Sequence, residues 1–400
     1  MKRVAIVTHN MHQIQGANRV TEKFILGRDY FENSGIKLIG VYSSDGILNP
    51  SDYSSKILGG KDTLPSNIRK RKLITLLKKI PLYSSYLGNV WSIRKNLKPD
   101  IKAAKLAYSR KDDYDYALLQ GFYVAYFYLK ERKDTRKKTI TIFHTDTDPL
   151  EQLLLGMPKI KGTKTEKRLR EMLNYVLENS DHIVTICKSE FKYLNEVYGI
   201  MSTYITNGIE DFSSIGNFEK MHNTNNRINL ICVASVQYRK GQDILVESIR
   251  NLSQELRKKI VIHIVGDGPE LVNLKRMVNN YGLDDSFVFY GLLQDVKELL
   301  CKMDVFILTT RADTTPISIV EALRAGLPVI SSNMGEIPHM IKGAGIIVDP
   351  EPNKVCIVLE KLIKGEYDIK KMSGNARHNF ETRFDLKTMI SKYSNIINSN

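Results

Sequence analysis

The chain is 400 residues long, with 59 Lys and Arg against 44 Asp and Glu and a formal net charge of +15. That length allows two or three domains with sizeable cores, and 42% hydrophobic with 26% charged residues is the balance of a soluble globular protein. No window approaches the roughly 18–20 apolar residues that span a bilayer, and the opening MKRVAIVTHN has only four consecutive apolar residues before Thr8, which excludes a signal peptide and reads as a first strand.

In chain order, buried strands are expected over 4–8, 37–42, 116–119, 139–143 and 182–186, with amphipathic helices over 18–27 and 166–179. Residues 69–110 break the alternation with twelve Lys or Arg and a single acid, Asp100, interleaved with Leu73, Ile74, Tyr83, Tyr86 and Trp91. A basic, aromatic, amphipathic stretch of this kind can lie on an anionic membrane surface, or form a solvated lysine-rich helical face. No nucleic-acid module is recognisable, so nucleic acid is not expected as a partner. After a polar stretch over 211–227, strands recur over 229–234, 260–265, 287–290, 305–308 and 329–331, with a helix over 241–252. Strands alternating with helices imply parallel sheets, so two α/β domains are expected on either side of a linker. The final segment places Leu386, Met389, Ile390, Tyr393 and Ile396 on one helical face. Cys187, Cys232, Cys301 and Cys356 are far apart, with no zinc-site spacing, and read as reduced, buried thiols of a cytosolic protein.

The most informative segment is 304–328, DVFILTTRADTTPISIVEALRAGLP: a buried strand, a polar loop, and a helix opened by Pro316 and stopped at Gly326. Proline suits the first helical turn, where its missing N–H leaves no bond unmade, and glycine suits the left-handed stop. The start of the helix spans Thr314, Thr315, Pro316 and Ile317; all but the proline have backbone N–H groups, which lack helical partners there, and such a start attracts phosphate. Asp313 precedes it and Glu321 lies within it; carboxylates so placed accept hydrogen bonds from sugar hydroxyls. A nucleotide sugar presents both kinds of group. Earlier, the loop from Ser235 to Gly241 carries Arg239 and Lys240 at a helix entrance, where a cation and backbone N–H groups suit a pyrophosphate. Gly266 and Gly268 form a turn after a strand that permits close backbone approach. A dinucleotide fingerprint fails there, because Leu271 stands where a third glycine belongs.

Together these residues resemble retaining glycosyltransferase family 4. Its donor-site signature has two acidic residues separated by seven positions, then A-x-x-A-G-x-P-V, here Ala322, Ala325, Gly326, Pro328 and Val329. Lys240 matches the family's Lys-Gly pair, whereas Ser235 replaces its arginine and Asp313 replaces its first glutamate. Gly266 and Gly268 match a G-x-G-P turn, Leu292 a strand end whose main chain holds the nucleobase, and Gly16, followed by Ala17, a G-G-x-x-R loop. His144, after a strand, matches a histidine near the donor sugar, with Asp146 a secondary candidate.

The resemblance implies the GT-B fold, two Rossmann-like parallel-sheet domains facing a cleft. The N-terminal, acceptor-side domain would cover 1–210, the linker 211–227 and the nucleotide-sugar domain 228–384, with 385–400 a helix crossing back to the first domain. It implies transfer from a nucleotide-diphosphate sugar without a metal or other cofactor, Lys240 and Arg239 facing the phosphates, Glu321 the ribose, and Asp313 and His144 the sugar. No D-x-D occupies a family metal position; 146–148 has that form in the wrong domain. A lipid-linked saccharide acceptor at the inner membrane face, in bacterial capsule, exopolysaccharide or cell-wall synthesis, fits the basic stretch. Departures at Ala17, Ser235 and Asp313 leave open a non-catalytic, partner-stabilising member, and a nucleotide-sugar 2-epimerase shares the architecture without the spaced acids.

Overall fold

The computed structural model describes residues 1–9, 16–52, 86–133, 136–145, 147–212 and 227–399. The chain divides into two compact units, Met1–Asn207 with Met389–Asn400, and Gly208–Thr388.

Unit 1 is built on β1 (Lys2–Val7), β2 (Ile36–Ser43), β3 (Gly46–Leu48), β4 (Tyr116–Gln120), β5 (Lys138–Phe143), β6 (His182–Thr185) and β7 (Thr203–Tyr204). Their order in the sheet is β3-β2-β1-β4-β5-β6-β7, all pairings parallel except the β2–β3 hairpin. The main helices are α1 (Gly16–Leu26), α2 (Tyr86–Ser109), α3 (Phe122–Glu131), α4 (Lys164–Asn179) and α5 (Lys188–Val197). Helix α4 shows how local sequence sets an element. Thr163 accepts from the Glu166 N–H, the Glu166 carboxylate accepts from the Gly162 N–H, and Leu169, Met172, Leu173, Val176 and Leu177 turn one stripe into the core.

Unit 2 is built on β8 (Ile228–Val233), β9 (Ile260–Val265), β10 (Phe287–Gly291), β11 (Val305–Leu308), β12 (Val329–Ser331) and β13 (Gly345–Ile347), ordered β10-β9-β8-β11-β12-β13 and parallel throughout. Helices α6 (Gln242–Asn251), α7 (Leu271–Asn280) and α8 (Ile317–Arg324) pack on it. The last helix, α9 (Leu386–Asn398), returns to unit 1, where the Tyr393 ring meets Phe24 edge-on at 4.8 Å and Lys2 Nζ donates to the Ile397 carbonyl at 2.6 Å.

In both sheets the strand order reverses direction once, between β1 and β4 in unit 1 and between β8 and β11 in unit 2. Loops leaving the carboxyl ends of two such strands splay apart and leave a crevice, the usual ligand position in open α/β sheets.

Three short strands, β3, β7 and β13, have no counterpart in the sequence expectations; each has two or three residues and joins the edge of a sheet by pairing. Pro316 caps α8 instead of opening it, with an extended ψ of 118°. Three cysteines are buried and Cys301 is half-buried, all as free thiols. No described helix is long and apolar enough to cross a membrane. Residues 213–226 of the expected linker, 69–85 of the basic stretch, and Asp146 lie outside the described residues.

Candidate functional site

At the strand-order reversal of unit 2, the loop after β8 meets the loop after β11. Tyr238–Lys240 forms a single 3-10 turn and Gly241 follows at φ 71°, capping α6. A β-carbon on Gly241 would fall 1.9 Å from the Thr309 carbonyl oxygen, so only glycine allows the two loops this approach. The β11 loop then grips the turn from its own side. Thr309 Oγ1 donates to the Gly241 carbonyl (2.7 Å), while Thr310 Oγ1 (3.0 Å) and the Arg311 N–H (2.8 Å) donate to the Arg239 carbonyl.

This clamp brings Lys240 into a close ion pair with Asp313, each only 13% exposed. The Thr314 N–H donates to the other Asp313 oxygen at 3.1 Å, and the Arg239 guanidinium stands 3.8 Å from that oxygen while donating to the Ala312 carbonyl at 2.7 Å. Arg311 was not anticipated from the sequence. It holds Asp243 with two hydrogen bonds of 2.8 and 2.6 Å, donates to the Tyr238 carbonyl at 2.7 Å, and stacks 4.0 Å over the Tyr238 ring. Three cations therefore converge on two carboxylates, leaving one positive charge in excess at the crevice.

The remaining expected residues of unit 2 surround this pair. Ser235 is exposed, its hydroxyl accepting from Gln237 Nε2 at 2.7 Å. Gly266, at φ 140°, and Gly268 lie directly against it: β-carbons there would come within 1.9 Å of the Ala234 carbonyl and 2.2 Å of the Val236 carbonyl. The Gly266 N–H donates to the Gly291 carbonyl at 2.8 Å, placing the turn beside the strand end where Leu292 projects, 79% exposed. Thr314, Thr315 and Ile317 are half-buried around the start of α8, Pro316 is buried, and Glu321 is half-buried one turn along that helix. The loop is braced from behind by the Glu336 N–H, which donates to the Thr314 carbonyl at 2.8 Å.

His144 and Gly16 belong to unit 1. Gly16 opens α1. His144 follows β5, and its Nε2–H donates to Gln120 Oε1 at 2.7 Å, leaving Nδ1 buried and without a hydrogen-bond partner among the described residues. Burial lowers its pKa to about 4, so the ring is neutral near pH 7 and Nδ1 can only accept.

Residues 216–379 match a family model described as glycosyl transferases group 1. The matched segment is similar to that family and covers less than half of the chain. Among curated proteins, N-acetyl-alpha-D-glucosaminyl L-malate synthase of Bacillus anthracis is 26% identical over 170 residues, covering 42% of this chain and 44% of that protein. O-antigen chain mannosyltransferase C of Escherichia coli is 24% identical over 311 residues, covering 74% of this chain and 78% of its own. The chain spans about half the length of the curated relatives it matches first. Among solved structures, HepE of Anabaena in complex with UDP superposes with a TM-score of 0.66 at 15% identity, over 100% of both chains. At that identity the likeness shows the fold, the paired α/β architecture called GT-B.

Proposed function

We propose that the protein is a retaining glycosyltransferase, moving a hexose from a nucleoside-diphosphate sugar to a lipid-linked saccharide in bacterial surface polysaccharide synthesis. The observation that carries this reading is the cationic loop pair at the strand-order reversal of unit 2, Lys240 and Arg239 beside Asp313, inside the segment that matches the group 1 family. The relatives support it through their names: one is an O-antigen chain mannosyltransferase, and the Anabaena structure holds UDP.

In this reading the diphosphate lies against Lys240, Arg239 and the start of α8, and these groups offset the negative charge that grows as the sugar departs. Side-chain cations take the neutralising role that a divalent metal fills in other phosphate chemistry, and the proposal includes no metal or other cofactor. Glu321 takes ribose hydroxyls, Asp313 the sugar, and neutral His144 accepts a hydroxyl proton at Nδ1 in a hydrogen bond. The Gly266–Gly268 turn and the backbone near Leu292 face the nucleobase.

The acceptor would be presented at the inner membrane surface, with the protein cytoplasmic and peripherally attached. Helix α2 carries Trp91, Lys95, Lys98, Lys102 and Lys105 at exposed positions spaced as one face, with Arg94 beside them, while Asn89, Ile93, Asp100, Ala103, Ala104 and Ala107 are buried on the other. Each cation near an anionic bilayer contributes about 1 kcal/mol. Charge reversal of Lys98, Lys102 and Lys105 should then abolish co-sedimentation with phosphatidylglycerol vesicles at low salt; binding equal to wild type overturns the membrane assignment.

The deciding experiment offers the purified protein UDP-, GDP-, ADP- and dTDP-sugars and follows nucleotide release with and without membrane lipid extract. Release from one donor, stimulated by lipid and lost in Lys240→Ala, establishes the transferase, and retained anomeric configuration in the product establishes the stereochemistry. The commitment of Lys240 to Asp313 favours one rival, a member that binds sugar without turning it over. Glu321→Ala separates the two: it abolishes release in an enzyme and leaves a partner-stabilising role intact.

A further inference from the structure

The cation best placed for a diphosphate in unit 2 is already occupied. Asp313 is the one hydrogen-bond partner of the Lys240 ammonium among the described residues, and the two side chains are equally enclosed. Arg311 is bound to Asp243 by two hydrogen bonds. With Asp313 seated on Lys240, the Arg239 guanidinium, 47% exposed, is the cation of the three that stands open to an incoming anion. A phosphate that reaches Lys240 therefore meets a carboxylate competing for the same charge.

The backbone beneath Asp313 is held on both sides. Arg239 Nη1 (2.7 Å) and Thr310 Oγ1 (3.1 Å) donate to the Ala312 carbonyl just before it. Gly335, at φ 51°, lies so close behind that a β-carbon there would come within 2.4 Å of the Asp313 carbonyl oxygen and 2.6 Å of the Thr314 one. The carboxylate can therefore leave Lys240 by turning about its own side-chain bonds, without the loop moving. The Thr314 N–H keeps one of its oxygens at 3.1 Å, and the oxygen given up by Lys240 needs a new donor, because an enclosed carboxylate oxygen without one is costly. A sugar hydroxyl is such a donor. A free nucleoside diphosphate brings none. Its terminal phosphate, with a second pKa of about 6, also carries nearly one more negative charge near pH 7 than the same phosphate esterified to a sugar, and so repels the displaced carboxylate more strongly.

We propose that Asp313 selects the intact nucleotide sugar over the free nucleoside diphosphate by competing with phosphate for Lys240; the assignment rests on the transferase reading above. Donor binding is then an exchange of partners within unit 2. Lys240 passes from Asp313 to the diphosphate, and Asp313 passes from Lys240 to a hydroxyl of the donor sugar. Once the sugar has been transferred, the remaining nucleoside diphosphate offers no hydroxyl. Asp313 returns to Lys240 and weakens the hold on the product, so the same pair that admits the donor limits inhibition by what is left of it.

The test is calorimetric titration of the full-length protein with UDP, GDP, ADP and dTDP, each beside its glucose ester, and needs no turnover. Wild type is compared with Asp313→Asn, Asp313→Ser, Lys240→Ala and the Lys240→Ala/Asp313→Asn double variant, reading those whose circular dichroism matches wild type. For the pair that wild type binds, Asp313→Asn and Asp313→Ser should each hold the free diphosphate about tenfold more tightly, the factor that ~1.4 kcal/mol of removed competition gives. The nucleotide sugar should gain less or lose affinity, and the gain for the diphosphate should vanish once Lys240 is alanine. A purely structural ion pair gives the opposite sign, since losing it loosens the loop and weakens every ligand. Diphosphate affinity unchanged or lowered in the Asp313 variants, or raised equally for the nucleotide sugar, overturns the exchange and leaves the transferase standing. Failure of wild type to bind any of the eight ligands overturns the donor site, and the exchange falls with it.

Discussion

At the scale of single residues, the site depends on contacts that tolerate little change. Lys240 is the cation most enclosed by the crevice, and Lys240→Ala should lower nucleotide release about 10²–10³-fold, as loss of one donor to a developing charge does; steady-state assays of the purified variant check this. Gly241→Ala adds a β-carbon 1.9 Å from the Thr309 carbonyl at a positive φ of 71°. Forcing an L side chain into that backbone costs about 1–3 kcal/mol before the clash is counted, so this variant should melt several degrees lower in calorimetry and lose UDP affinity. His144 sets a pH signature. Its pKa of about 4 in the folded chain lies below the ordinary histidine value of ~6.5, so between those limits the unfolded chain binds the extra proton. Stability from this group is fully present above ~6.5 and falls by about 1.4 kcal/mol per pH unit as the medium is acidified through that window. His144→Asn should flatten the dependence of the urea midpoint between pH 5 and 7; an unchanged slope sinks the assignment.

At the scale of elements, the β8 and β11 loops behave as one piece because Arg311 joins them. Its two bonds to Asp243 on α6 and its stacking on Tyr238 fix the turn that carries Lys240. Lysine cannot reproduce a planar two-point contact. Arg311→Lys and Arg311→Ala should therefore both weaken UDP binding, by about tenfold for each ~1.4 kcal/mol of loop order lost, with Asp243→Ala showing the same phenotype and no added effect in the double variant. Calorimetric titration of the four variants reads this directly. None of these partners announces itself in sequence, since Arg311 and Asp243 are 68 residues apart, one in a polar loop and the other in the first turn of α6. Had the two loops been known as neighbours, an arginine two residues before Asp313 would have been the signal.

At the scale of the whole molecule, the chain runs from unit 1 into unit 2 at Gly208 and back beyond Thr388. The two crossing segments are fastened to each other within unit 2: the Ile209 N–H donates to the Phe384 carbonyl and the Leu386 N–H to the Ile209 carbonyl, both at 2.9 Å. Gly208 packs so closely on Asp385 that a β-carbon would meet its carbonyl oxygen at 2.8 Å. Helix α9 then completes unit 1 with Tyr393 and Ile390 against Phe24 and Gly27. Removing residues 387–400 should expose that face and make unit 1 protease-sensitive, which limited trypsinolysis followed by mass spectrometry would show. Most of this architecture was legible in advance. Parallel strands covered on both faces are continuous apolar runs such as Ile260–Val265 and Val305–Leu308, and the helices between them keep a 3.6-residue period. The short strands β3, β7 and β13 were not, because pairing with an existing sheet edge, and not their own pattern, makes them strands.

The sequence by itself determined the alternation of strands and helices, the glycine at 241, and the spacing of Asp313 and Glu321 about the start of α8. These are local properties, set by periodicity, backbone freedom and turn chemistry within a few residues. Tertiary structure alone decided that Lys240 faces Asp313, that Arg311 locks the loop bearing it, and that His9 leans on Asp100. Those partnerships follow from strand order, β1 beside β4 and β8 beside β11. Strand order is a property of how crossovers pack, and no window of sequence contains it.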